Sequence, residues 1–129
     1  MLQGVAFVER LCFDHLDLLG APLSGDLVLT GGATRSTYWT QLRADVLGRP
    51  VTLVENAEPA LGMAVLAASP GRDAAEVAAT MVRVRAVVEP RPDGARFTEP
   101  YLRFVDELER RGWLPDETAR HARRRGETR

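Results

Sequence analysis

The chain has 129 residues, 45% of them hydrophobic and 27% charged, which is one domain's worth of sequence able to bury about two thirds of the surface its unfolded state exposes. Arginine supplies all 17 basic residues against 18 acidic ones, for a formal net charge of -1, so whole-molecule electrostatics give no argument for a nucleic-acid or membrane protein. Cys12 stands alone, which excludes a disulfide framework and a cysteine-rich zinc site, and no basic leader or long apolar run is present; a soluble, cytoplasmic chain is expected.

Met1 to Leu19 reads as an amphipathic helix, with Leu2, Val5, Val8, Cys12, Leu16 and Leu19 on one face at intervals of three and four and Gly20 as its stop. It starts at the first residue with no preceding cap, which reads as a chain that opens in the middle of an older architecture. Asp26 to Thr30 is a buried-strand candidate closed by Gly31-Gly32. A helix is expected from about Arg35 to Leu47, ended by Gly48 and Pro50. Val51 to Val54 is a second buried strand, and Ala60 to Ala68 a helix of small residues after Pro59. This order of helix, strand, helix, strand, helix fits an α/β layer with parallel strands.

Asp73 and Glu76 form a capping-box-like start for a helix through Val82. Val84 to Val88 can be extended, and Glu89 to Gly94 is a loop by its prolines and its Asp-Gly pair. Thr98 is placed to cap a helix that carries Tyr101, Phe104, Val105 and Leu108 and stops at Gly112. From Trp113 to Arg129 the chain is polar and basic and reads as partly disordered. Arg120 to Arg129 holds five Arg and one Glu, net +4, which leaves the first 119 residues at net -5.

The informative segment is Leu27 to Pro50. A strand that runs through Gly31-Gly32 into a helix lets a flat or phosphorylated ligand approach the backbone, and the helix start offers unpaired N–H groups and Ser36 and Thr37 hydroxyls. The pattern is neither GxGxxG nor a P-loop, which needs a Lys that this chain lacks. Taken alone, a strand that runs through Gly-Gly into a helix is more often a tight turn than a ligand site. Ala60, Gly62, Ala64, Ala67, Ala68 and Gly4 read as small residues for close packing. Asp14, Asp17 and Asp45 read as solvated helix faces. His15 and His121 have no companions, so no metal site is expected. Arg123 to Arg125 read as a solvated tail, with nucleic-acid contact a third and weaker alternative.

The stretch LTGGATRSTYWTQLRADVLGRPV, followed by EPALGMAVLAA, resembles the C-terminal domain of FGGY carbohydrate kinases, most closely xylulokinase-like members. LQGVAFVERL resembles the family's E-G-x-A-F helix, with Gln3 where Glu is usual, and MVRVRAVVEPRPDG and YLRFVDEL resemble the stretch before its last helix and that helix. The resemblance covers roughly residues 2 to 110. It implies a partial ribonuclease-H-like (actin-like ATPase) domain over 1–112 and a tail over 113–129. It also implies that MgATP and a xylulose-like sugar meet between two such domains, where a sugar hydroxyl attacks the γ-phosphate. Carried over by position, Gly31 and Gly32 lie against adenine or ribose and Ser36 takes the place of a base-contacting polar side chain, with Ala33, Thr34 and Arg35 completing the turn. The family's catalytic Asp, its sugar contacts and other phosphate and Mg contacts lie upstream, so catalytic and metal residues are expected outside this chain. The chain is expected to be inactive alone and to leave a strand edge or sheet face uncovered. Its expected partners are a nucleotide and a kinase N-terminal half or a second copy, with no membrane. The alternative is a non-catalytic, self-associating interaction module.

Overall fold

A computed structural model describes residues 1–127. Its elements in chain order are α1 (Leu2–Leu18), β1 (Val28–Leu29), a 3-10 turn (Gly32–Arg35), α2 (Thr37–Leu47), β2 (Val51–Val54), α3 (Ala60–Ala67), α4 (Ala74–Met81), β3 (Val84–Val88), a second 3-10 turn (Pro92–Phe97), α5 (Thr98–Arg110) and α6 (Asp116–Glu127).

The strands form one sheet in the order β1-β2-β3. β1 and β2 pair in parallel, Val28 with Thr52 and Leu29 with Leu53, as their connection through α2 requires. β3 joins β2 antiparallel, Val51 with Val88, Thr52 with Val87 and Leu53 with Ala86. The sheet is therefore mixed, where parallel strands alone were expected. The return through two short helices, α3 and α4, brings β3 in from the opposite end. Its next pair is Val54 with Val84, so Arg85 is the extra residue of a β-bulge.

α2 is the shared spine of two cores. Leu42 and Val46 pack with Ala6 and Phe7 of α1, Phe97, Tyr101 and Val105 of the α5 region, and Ala119 and Ala122 of α6. Ala44 and Leu47 pack with Leu29, Val51 and Leu53 on one face of the sheet. Each of these fully buried large side chains contributes about 1.5–3 kcal/mol over an exposed one. Gly48 closes α2 in the left-handed conformation at φ 61°, and Asp73 caps α4 by accepting from the Ala75 N–H at 2.8 Å.

Several expectations about orientation do not hold. The buried face of α1 is Ala6, Phe7, Arg10 and Asp14, while Leu2, Val5, Val8, Cys12, Leu16 and Leu19 are all exposed. The second face of the sheet is covered only in part: Thr52 and Val54 of the central strand are buried, while Val28, Val84 and Val87 beside them are exposed. A Cβ built at Gly4 or Gly62 meets nothing within 4 Å, so neither glycine marks a close contact among the described residues. Thr98 opens α5 without capping it, because the preceding 3-10 turn runs straight into the helix. Residues 116–127, expected to be disordered in part, are α6, whose Thr118, Ala119, Ala122 and Gly126 are buried against α1 and α5. The last two residues of the expected tail lie outside the described residues.

Candidate functional site

The site is built on the chain that leaves β1. Gly31 sits at φ 87°, ψ 171°, a conformation that residues with a Cβ adopt rarely, so the turn needs glycine there. Its N–H donates to the Ala57 carbonyl at 2.7 Å, tying the turn to the loop after β2. The buried Thr34 closes the turn from within, its hydroxyl donating to the Gly31 carbonyl at 2.7 Å. Arg85, reaching from β3, donates to the Thr34 carbonyl at 3.3 Å. Ser36 then caps α2, its hydroxyl accepting from the Trp39 N–H at 3.2 Å.

A polar cleft of about 190 Å³ lies beside this turn, lined by Gly31, Gly32, Thr34 and Arg35 on one side and by Asn56, Glu58 and Arg85 among the residues opposite. Gly32 has open space where a Cβ would project. Arg35 and Glu58 approach to 3.8 Å across the mouth of the cleft, both well exposed, a pair worth at most about 1 kcal/mol. The neighbouring cavity, about 330 Å³ behind the same loop, is lined mainly by Val28, Val54, Leu61, Val65 and Val82. It is larger but offers few groups able to orient a polar ligand.

Of the residues singled out by sequence, Gly31 and Gly32 line the cleft, and Thr34 and Arg35 do so with them. Ala33 and Ser36 do not line it. Both are exposed, on the turn and at the start of α2, and the Ser36 hydroxyl is engaged as a cap. Asn56, Glu58 and Arg85 were not legible as site residues, since nothing local in their segments signals that the sheet returns them to the Gly-Gly turn.

The carboxylates read as solvated are not so placed. Asp14 is buried and accepts from the Tyr101 hydroxyl, with Arg125 3.4 Å away. The Arg10 guanidinium lies 4.1 Å from the centre of the Tyr101 ring. Asp17 meets His121 at 2.8 Å and Arg125 at 3.3 Å. Asp45 is buried under Arg91. The expected basic tail is thus docked: Arg123 pairs with Asp106 and Glu109, and Arg125 with Asp14 and Asp17. These clusters join helices. None of them lines the Gly-Gly cleft.

The profile of the FGGY family of carbohydrate kinases, C-terminal domain, matches residues 1–70. A human FGGY carbohydrate kinase domain-containing protein is 33% identical over 113 residues, 84% of this chain and 20% of that protein. A ribulokinase of Mycolicibacterium smegmatis is 30% identical over 112 residues, 82% of this chain and 20% of the enzyme. The crystal structure of xylulose kinase from Rhodospirillum rubrum superimposes with a TM-score of 0.63 at 32% identity, covering 83% of this chain and 22% of that one. The chain therefore spans about a fifth of the length of these relatives. With a profile that covers more than half of its residues and relatives of this similarity, the chain belongs to the FGGY family of carbohydrate kinases and carries part of the family's C-terminal, actin-like ATPase domain.

Proposed function

We propose that this chain forms part of the adenosine-binding wall of an ATP-dependent kinase acting on a xylulose-like sugar, and that it is not catalytic alone. The observation that carries the reading is the Gly-Gly turn: a positive φ at Gly31, open space at Gly32, and a polar cleft beside both. Gly31 and Gly32 let the flat face of a nucleoside come against the backbone. Gly32 and Ala33 on the turn and Ser36 at the start of α2 are all exposed, and the helix dipole favours a negative group at that start. Phosphoryl transfer rests on holding nucleotide, metal and nucleophile together. In this reading the chain supplies the adenosine side only, and the Mg that accompanies ATP or ADP takes its ligands elsewhere.

Calorimetric titration of the full chain with MgADP, repeated on Gly32→Glu, tests this. Gly32 has no positive φ and no neighbour at its Cβ position, so the variant is expected to melt as the parent does and to lose binding. A folded chain that binds no MgADP, or a variant that binds it unchanged, overturns the reading.

One observation favours a second reading, a non-catalytic module that self-associates. The apolar stripe of α1 faces outward, with Val5 52% and Val8 50% exposed.

A further inference from the structure

We propose that Arg85 is a positioning residue of the Gly-Gly site, one that sets the shape of the turn from two strands away; its bearing on nucleotide rests on the function proposed above. β3 pairs with β2 without interruption up to Ala86, and resumes at Val84. The residue left over is Arg85. A bulge increases local twist and re-aims the side chain of its extra residue, and bulges are common beside functional sites. Here the side chain is turned over β2 toward the end of β1, and Arg85, Val54 and Thr34 line the same cleft. The span is about 10 Å, two strand spacings, which calls for a long side chain with a fork of donors at its end.

The guanidinium lands on the Thr34 carbonyl at 3.3 Å. Thr34 is also the residue that closes the turn through the Gly31 carbonyl, and the Gly31 N–H is already held by Ala57. The turn is therefore fixed at both ends: at Gly31 by the loop after β2, and at Thr34 by β3. Its first anchor is backbone to backbone and independent of side-chain identity. Its second depends on residue 85 alone, so a substitution there loosens the half of the turn that leads into α2 and leaves the rest of the sheet paired.

The experiment compares the full chain with Arg85→Gln, which is too short to span the gap. Hydrogen exchange without ligand reads the turn directly. The Thr34 and Ser36 amides, bonded to the Gly31 and Ala33 carbonyls, are expected to lose about tenfold in protection, equivalent to about 1.4 kcal/mol. Amides of Leu53 and Val105 are expected to keep theirs. With ligand, the dissociation constants for adenosine and for MgADP are expected to rise by one common factor. Unchanged exchange at Thr34 and Ser36 overturns the proposal, as does protection lost throughout the chain, which marks a merely structural role. A weakening of MgADP alone also overturns it, because Arg85 then touches phosphate. A parent chain that binds neither ligand refutes the nucleotide reading, while the exchange result still decides whether Arg85 holds the turn.

Discussion

Asp45 shows how a side chain that looks solvated in sequence becomes structural. Its carboxylate is fully buried and accepts from the Arg91 N–H at 2.8 Å, from the Arg91 guanidinium at 2.9 and 2.6 Å, and from the Gln41 amide at 2.9 Å. Burial by itself raises the pKa of this group, but the hydrogen bonds from Arg91 and Gln41 outweigh it, and the pKa lies below the ordinary carboxylate value. A carboxylate depressed on folding adds stability that is complete above its unfolded pKa, about 3.9, and is lost as the pH falls through its folded value. Asp45→Asn is therefore expected to cost about 2 kcal/mol at pH 7, and the gap between variant and parent is expected to close below about pH 4. Urea unfolding of both proteins at pH 7, 5 and 3 measures this. A gap that does not change with pH would show that the stabilisation does not come from the ionised carboxylate. Sequence could not reveal this role: Arg91 lies 46 positions away, and helical periodicity says which residues share a face but not what meets them. Asp14 was hidden in the same way, since its partners Tyr101 and Arg125 come from α5 and α6.

Among the helices, α2 was legible because its end signals are local. Gly48 takes the left-handed conformation a stop requires, and Ser36 caps the start. That cap competes with the base-contacting role assigned to Ser36 by resemblance, and the two separate by mutation. Ser36→Ala is expected to lower stability by about 1 kcal/mol, and Ser36→Asn to restore it, because either Ser or Asn can accept from the N3 amide. Thermal melts read this cap contribution, while the MgADP titration reads any contact to the base. Equal melting of Ser36→Ala and the parent would show the cap to be idle. α6 was misread because its composition, rich in Arg, is that of a solvated tail. What composition misses is the strip of small residues, Thr118, Ala119, Ala122 and Gly126, that lets the helix settle on its neighbours, and the acids on α1 and α5 that receive its arginines. Ala122 has no exposed surface, so Ala122→Asp places an unpaired charge in the first core and is expected to cost at least about 3 kcal/mol. Retention of the parent's helical circular dichroism and melting temperature would mean that α6 does not dock as described.

Two apolar regions are left open, the outward stripe of α1 and the exposed valines of the sheet. The pattern of α1 correctly identified its apolar residues and misjudged which way they face, because an apolar stripe is buried only when something covers it. Here α1 turns Arg10, Asp14 and Phe7 inward, toward α2, α5 and α6, and turns Val5, Val8, Leu16 and Leu19 outward. Val84 and Val87 are left open on the sheet. Apolar patches of this kind mark contact sites, and relatives about five times as long as the matched segment have ample chain to supply a cover. A second copy is the simpler cover and the easier one to test. If copies pair through α1, sedimentation velocity of the parent shows a mass that rises with concentration above that of the 14.2 kDa monomer. Val8→Asp then holds the monomer at every concentration, by placing a charge in the middle of the stripe. Its melting temperature should match the parent's at concentrations where the parent is monomeric, since Val8 is absent from both cores, and fall below it only where the parent is paired. A parent that stays monomeric throughout removes the self-association reading, and the uncovered faces of α1 and the sheet are then best read as surfaces for the remainder of a kinase.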